Sequence, residues 1–303
     1  MESLKFWKYQ SVGNDFVILH EDCWNSLGRL GLDATRIVPL VCDRKTGLGA
    51  DGVLVVSQLN GEVHLEMFNA DGTEDFCGNG IRCCARQAYD LGWVGEDFGI
   101  THFGRRVQCQ VDKNHISTDL GFATYDHRLI PTNAEGELFL ADLPMPTGER
   151  LQISTLSTGT AHTIIHVPEL PTDELFFAAS PVIEHQPLFP ERTSVIWCEV
   201  LSDHHLRLRI WERGVGETLG CGTGSAAAAA DWMRRNGSGG RIDITSKGGK
   251  LTVSADQWDC PLTISGVAEE VFSGHLHADL IQKAKNLGPV AAVVDGGTSR
   301  LLV

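Results

Sequence analysis

The chain has 303 residues, 42% of them hydrophobic, with 39 acidic against 25 basic side chains and a net charge of −14. That length and apolar share suit a globular protein of two ordinary domains. The acidic balance argues against nucleic acid or an anionic membrane surface as partner.

No basic start followed by an apolar stretch opens the chain, and no apolar run approaches a membrane span, so a cytoplasmic setting is expected. Nine cysteines, an odd number with no C-x-x-C pair, suit neither a zinc ribbon nor a secreted disulfide framework. Most read as small buried apolar residues, and no metal-ligand set is visible.

Partial alternation predicts a first strand over Leu4–Gln10 and a second over Phe16–Leu19, with Gly13-Asn14-Asp15 breaking them and composition favouring a turn role for Asn14. The spacing of Ile37, Leu40 and Val41 predicts a short helix over Ala34–Asp43. Strands follow at Val53–Val56 and Val63–Phe68, then the polar turn Asn69-Ala70-Asp71-Gly72-Thr73 and a helix opened by Cys77-Gly78-Asn79-Gly80. Two or three strands are expected over Gly99–Asp119.

The pattern weakens over Ala123–Arg150, where a domain crossing is placed. Strands are expected at Ile153–Leu156 and Ala161–Val167, a helix near Thr172–Ala179 and then a proline-rich loop. Strands at Thr193–Leu201 and Leu206–Trp211 lead to a second helix, opened by Cys221-Gly222-Thr223-Gly224 and stopped near Gly237. Strands resume at Arg241–Ile244, Lys250–Ser254 and Leu262–Ser265. The stretch Ala278–Val303 holds a helix-like piece and a glycine-rich turn at Asp295-Gly296-Gly297, with no role assigned. One plan occurring twice suggests an internal pseudo-repeat.

The two Cys-Gly-x-Gly stretches carry the chemistry. A helix N-terminus offers N–H groups and partial positive charge to an anion, and the same field is expected to lower the pKa of a cysteine held there. The glycine loop matches neither G-x-x-x-x-G-K-[ST] nor a complete G-x-G-x-x-G, which disfavours a nucleotide. One cysteine could be a hydrolase nucleophile with His162 as base. Two like cysteines at two like helix starts point instead to inversion of a stereocentre, which needs a base on one face and an acid on the other.

Ser11-Val12-Gly13-Asn14-Asp15-Phe16, Phe68-Asn69-Ala70-Asp71-Gly72-Thr73-Glu74 with Cys77-Gly78-Asn79-Gly80, and Trp211-Glu212-Arg213-Gly214-Val215-Gly216-Glu217-Thr218 with Cys221-Gly222-Thr223-Gly224 resemble the signature blocks of the diaminopimelate epimerase family. They occur in the family's order, with matching loops at Gly47–Gly52 and Gly248-Gly249. The resemblance implies an α+β fold of two pseudo-symmetric domains, each a barrel-like, mostly antiparallel sheet around a central helix, with the active site in the cleft between them. Residues 1–123 would form one domain, completed by a strand returning near 267–276, and residues 124–266 the other. Residues 277–303 would form an extension.

It also implies a cofactor-independent epimerase of a small amino acid, in which Cys77 and Cys221 are the acid/base pair. Gly78, Asn79, Gly222 and Thr223 would hold the reacting α-carboxylate. Asn14, Asn69, Glu212 and Arg213 would meet the far end of the substrate; without the resemblance, Glu212 and Arg213 would read as a surface ion pair. The family tends to dimerise.

Two positions depart from its pattern. Thr160 in Gly159-Thr160-Ala161-His162, and Ser194 after Glu191-Arg192-Thr193, stand where the family has asparagines that grip the distal group. A hydroxyl lacks the amide's paired donor and acceptor. LL- and meso-diaminopimelate are the first-choice substrates by the resemblance, and because Thr160 and Ser194 replace those asparagines a racemase of another amino acid, such as histidine, is the alternative. A cysteine hydrolase and a non-catalytic amino-acid-binding protein are the readings from other classes.

Overall fold

The computed structural model describes residues 4–113, 115–146 and 148–286, so the expected turn at Asp295-Gly296-Gly297 lies outside the described residues. It is a mixed α/β, sheet-rich structure, and its internal contacts divide it into two units: residues 4–118 with 266–286, and residues 119–265.

In the first unit β1 (Lys5–Ser11) and β2 (Asn14–His20) make an antiparallel hairpin, with Trp7 opposite Ile18 and Ser11 opposite Asn14. Val12 and Gly13 form its two-residue turn at φ 49° and 80°, the doubly left-handed geometry that matches strand twist. Asn14 is thus not a turn residue. The β-branched Val12 takes the left-handed position, where such residues are uncommon, and Asn14 opens the strand.

Helices α1 (Glu21–Arg29) and α2 (Ala34–Cys42) carry the chain to β3 (Gly52–Leu59), which lies parallel to β2. Helix α1 is not among the elements expected from the sequence; its apolar side is only Cys23, Trp24 and Leu27, with Leu27 alone fully buried. Strand β4 (Glu62–Asn69) returns antiparallel to β3, and α3 (Gly78–Asp90) crosses over to β5 (Asp97–His102), parallel to β4. An antiparallel run of β6 (Arg105–Asp112) and β7 (His115–Gly121) follows.

Alternation divides this unit's apolar residues into two clusters, as a strand's period of two requires. Phe16 and Ile18 face α3, packing with Ile81, Cys83, Cys84, Ala85 and Ala88. Val17 and Leu19 face the other way, with Ile37, Val38 and Val41 of α2. Helix α3 touches strands on several sides, β1 to β6 among them, and buries even Arg82 and Gln87.

The second unit follows the same kind of path. Strands β8 (Ala141–Pro144), β9 (Arg150–Ser157) and β10 (Ala161–Val167) pair antiparallel in succession. Helix α4 (Asp173–Glu184) leads to β11 (Ser194–Ser202), parallel to β10. It runs past its expected end at Ala179 and through Pro181, because Ile183 and Glu184 are buried and hold the last turn in place. Strands β12 (His205–Glu212) and β13 (Gly216–Thr218) precede α5 (Gly222–Asn236), which crosses to β14 (Gly240–Ser246), parallel to β12.

Strand β15 (Gly249–Ala255) pairs antiparallel with β14, and β16 (Leu262–Val267) spans the boundary between units. Back in the first unit, β17 (Glu269–His275) pairs antiparallel with β1, Lys5 opposite His275, and α6 (Ala278–Asn286) packs on α2.

Ala226 to Ala230 of α5 are all fully buried. A run of side chains no larger than methyl lets β9 to β12, β14 and β15 approach the helix from many directions. Gly237 ends it at φ 60°, with the N–H groups of Gly237 and Ser238 reaching Arg234 and Met233 carbonyls. Arg234 lies over the rings of Tyr125 and Phe139, both at 4.2 Å, and of Trp258 at 4.7 Å, which ties the long 122–140 connection to the helix end. Overpacking this enclosed helix with Ala228→Leu should lower stability to urea by about 1–3 kcal/mol, whereas the exposed Arg241→Gln should cost no more than about 0.5 kcal/mol.

Candidate functional site

Cys77 and Cys221 are the N-cap residues of α3 and α5, with backbone angles of φ −137°, ψ 109° and φ −130°, ψ 119°. Each sulfur accepts the N–H three residues on, from Gly80 and Gly224, both at 3.3 Å. This is the bond that a serine or aspartate cap makes, with sulfur in place of oxygen.

The third-position glycines are small for packing reasons. A Cβ on Gly80 would lie 3.0 Å from Leu54 Cδ2, and one on Gly224 2.8 Å from Ile196 Cδ1. At Gly78 a Cβ would meet nothing within 4 Å, so that side of the first turn is open. The N–H groups there carry the positive end of the helix dipole.

The expectation of a lowered pKa fails at Cys221. Burial pushes its thiol up and the Glu212 carboxylate adds to the rise, together outweighing the Thr223 hydroxyl and the Gly224 N–H. Thr223 Oγ1 lies 3.4 Å from the sulfur, and the Thr223 carbonyl accepts the Thr158 hydroxyl at 2.9 Å. Burial likewise raises Cys83, Cys84 and Cys198, which are core residues.

Around Cys77 the first unit gathers Asn14 and Asn79. Asn79 Nδ2 donates to Asn14 Oδ1 at 3.2 Å, and that oxygen lies 3.9 Å from Cys77 Sγ. Asn69 closes β4 and is held by its own turn, donating from Nδ2 to Thr73 Oγ1 at 3.2 Å and from its N–H to the Thr73 carbonyl at 2.8 Å.

His102 is a partner that sequence reasoning misses. It has no exposed surface, and its Nε2 accepts the Cys77 N–H at 3.1 Å while Nδ1 faces the Leu65 carbonyl at 2.9 Å. The carbonyl can only accept, so the proton sits on Nδ1 and the ring is neutral. Burial holds its pKa below the ordinary histidine value, in keeping with that form. Nothing local in the sequence marks a strand-end histidine as the anchor of a cysteine 25 residues earlier.

In the second unit Glu212 and Arg213 each bond neighbours of their own. Glu212 Oε1 accepts the Thr218 hydroxyl at 2.6 Å. Arg213 donates from Nη1 to the Glu191 carbonyl at 3.1 Å, and its backbone N–H bonds Ser194 Oγ, also at 3.1 Å. Ser194 is buried and sits beside His162 in the parallel register of β10 and β11. Thr160 is exposed and shares a 3.0 Å hydrogen bond with His162 Nε2.

Both hydroxyls are therefore engaged with neighbours of the same unit. His162 is fully buried, and burial first, then the Arg213 charge, push its pKa down to about 3. A neutral core histidine results.

Glu184, at the end of α4, is a second missed residue. Its carboxylate accepts Trp211 Nε1 at 2.6 Å and the Gly214 N–H at 2.8 Å, and it lies 3.5 Å from Arg192 Nη1. It clamps the turn that carries Glu212 and Arg213 from both sides. A buried acid at a helix C-terminus runs against the dipole preference, but the sequence pattern ends this helix at Ala179 and so gives Glu184 no such position.

Among the described residues no cluster of three histidine, cysteine, aspartate or glutamate side chains could hold a metal ion, and no helix is long and apolar enough to cross a membrane.

The sequence profile of the family "Diaminopimelate epimerase" matches residues 6–125 and 154–263. A diaminopimelate epimerase of Synechococcus sp. (strain JA-2-3B'a(2-13)) is 36% identical over 281 residues, covering 89% of this chain and 97% of that protein. One from Moorella thermoacetica is 33% identical over 284 residues, covering 91% and 100%. Among solved structures, a PhzF-family phenazine biosynthesis protein of Bacillus anthracis superposes with TM-score 0.64 at 17% identity, over 91% of this chain and all of that one. A hydroxyproline epimerase of Agrobacterium vitis does so at 0.63 and 12%, over 91% of both. At those identities the two structures speak for the fold alone.

Two outcomes are expected from the second unit. The unfolded chain protonates His162 near pH 6.5 and the folded chain only near about 3. Stability therefore falls as pH drops between those values, by about 1.4 kcal/mol per pH unit for this group. Urea titrations of His162→Gln should show the acid slope reduced by that one proton. Glu184→Leu leaves the Trp211 and Gly214 N–H groups without their acceptor and should cost about 2–5 kcal/mol, with tryptic cleavage after Arg213 accelerated in step.

Proposed function

The chain belongs to the diaminopimelate epimerase family, and from that premise we propose that it interconverts LL- and meso-diaminopimelate by passing protons between two thiols and one α-carbon. The observation that carries the reading is the pair of helix-capping cysteines, each with its sulfur on the N–H three residues on at 3.3 Å.

Inversion at an α-carbon breaks a C–H bond on one face and makes one on the other. The thiolate of one cysteine takes the α-proton, and the C–H electron pair stays on the substrate, delocalised into its carboxylate. The S–H of the other cysteine then gives its proton to the opposite face and its sulfur keeps the bonding pair. The enzyme ends with the same number of protons in exchanged places, so the reverse reaction uses the two groups in exchanged roles. No redox step or electron sink beyond the carboxylate is needed, and the reading requires no cofactor.

The α-proton is far less acidic than a thiol, so the developing charge needs fixed dipoles. The first turns of α3 and α5 supply them: Gly78 and Asn79, with Gly222 and Thr223, hold the reacting carboxylate at the positive helix ends. In the direction where Cys77 is the base Cys221 is the donor, and burial with the Glu212 carboxylate raises its thiol.

Asn14, Asn69, Thr160, Ser194, Glu212 and Arg213 address the far end of the substrate, where a guanidinium suits the distal carboxylate. Thr160 and Ser194 make that end the place where preference among amino acids is set. The two units are pseudo-symmetric versions of one plan, supported by the succession of hairpin, helical crossover, hairpin and cysteine helix in each. A cytoplasmic setting and a free amino acid as partner go with this reading, as does a homodimer.

Incubation with diaminopimelate in deuterated water should place deuterium at the α-carbon. Cys77→Ala and Cys221→Ala should each lower turnover by more than about 100-fold. Wash-in to histidine or another amino acid, with none to diaminopimelate, would replace the substrate and leave the two-thiol chemistry standing. Substantial turnover by Cys221→Ala would refute the two-base scheme and favour a single-thiol hydrolase.

A further inference from the structure

An asparagine amide carries an acceptor and a donor on one flat group, and half a turn exchanges them. Asn79 and Asn14 lie on a single file of hydrogen bonds in the first unit. At one end Arg82 of α3, with no exposed surface, donates from Nη2 to Asn79 Oδ1. Its Nε is held by Ser11 Oγ at 3.1 Å, and Ser11 in turn donates to the Val267 carbonyl at 3.0 Å.

Asn79 Nδ2 then donates to Asn14 Oδ1 at 3.2 Å, and Asn14 Nδ2 to Asp51 Oδ2 at 2.7 Å. Asp51 is braced by Arg44 Nη2 at 2.7 Å and by the Asp15 N–H at 3.1 Å. A guanidinium can only donate and a carboxylate can only accept. With those two groups at its ends, the file has a single sense.

We propose that Arg82 and Asp51 are positioning residues that fix the sense of the Asn79 and Asn14 amides, and thereby present Asn14 Oδ1, not its NH2, to the sulfur of Cys77. The oxygen lies 3.9 Å from Sγ. An acceptor there favours S–H over the thiolate, so the thiolate, once formed, is the stronger base for a weakly acidic C–H. The reversed amide would point an N–H at the sulfur, stabilise the thiolate and weaken it as a base.

That consequence rests on the role proposed for Cys77; the sense of the amides does not. Other ionisable groups at this end of the unit are Arg44 and Asp15 on Asp51, Lys8 on Asp15, Cys83 on α3, and His102 on the Cys77 N–H.

The test measures the pH dependence of Cys77 alkylation by iodoacetamide, read by peptide mass spectrometry, in wild type, Arg82→Met, Arg82→Lys, Asp51→Ala and Asp51→Asn. No substrate is needed, so the result stands or falls apart from the proposed activity. Charge alone predicts opposite shifts: removing Arg82 would raise the Cys77 limb and removing Asp51 would lower it.

Loss of either end leaves the sense held from the other end alone, so a fraction of the Asn14 amides reverses, and Arg82→Met and Asp51→Ala should both move the limb to lower pH, by about half a unit. Arg82→Lys, which keeps a donor, and Asp51→Asn, which keeps an acceptor, should stay near wild type. In turnover the first pair should lose between about 10- and 100-fold in kcat with KM little changed.

Opposite shifts, no shift, or Asp51→Asn tracking Asp51→Ala would overturn the proposal. If Arg82→Met does not fold, the Asp51 pair decides alone, since that side chain is 40% exposed and tolerates replacement. Shifts as expected in a protein that exchanges no deuterium into diaminopimelate would sink the substrate assignment and keep the inference.

Discussion

The rest of the structure depends on how a helix is enclosed by strands and what its first turn then has to do. Helices α3 and α5 give up almost all of their surface to sheet: α5 does so with a run of alanines, and α3 with alanine and cysteine beside the larger Ile81, Arg82 and Gln87. Each helix buries polar groups as well, Arg82 on Ser11 and Asn79 in α3 and Asp231 on Tyr125 and His166 in α5, and each is closed by a cap. There a cysteine sulfur takes the N–H three residues on, and a glycine at that third position lets Leu54 or Ile196 lie against the turn. Cys-Gly-x-Gly is the sequence form of that single packing problem, solved once in each unit.

Polar groups about the two caps are held by buried partners from distant parts of the chain. His102 receives the Cys77 N–H as a neutral ring, and Glu184 grips both sides of the turn that carries Glu212 and Arg213. Such arrangements cost desolvation and return orientation, because a buried donor or acceptor left unmatched is expensive and each partner therefore specifies the other's geometry. The same burial explains why Cys221 keeps its proton despite the helix dipole. Desolvation and a neighbouring carboxylate act on the charged form at full strength in a dry site, while the dipole contributes only a partial charge.

Strands with clean alternation, such as β6 with Val107, Cys109 and Val111 inward, were legible because their pattern is the burial pattern. The cysteine helices were legible because glycine, capping residue and apolar run coincide. Helix α1 was not, since its apolar side of Cys23, Trp24 and Leu27 is too short a pattern to stand out along the chain. Asn14 was misplaced into the turn because composition cannot tell which of three adjacent residues, Val12, Gly13 or Asn14, will pay for positive φ. Register decided it by pairing Ser11 with Asn14.

The sequence by itself determined the two thiols, their helix starts and the family blocks around them, since residue type and short spacing are what carry that chemistry. Tertiary structure decided the protonation and orientation of those groups. The raised Cys221 thiol, the neutral His102 and His162, and the single sense of the Asn79 and Asn14 amides all follow from burial and from partners brought from Asp51, Arg82, Leu65 and Glu212. Desolvation and hydrogen-bond direction are properties of neighbours in space, and no local pattern along the chain encodes them.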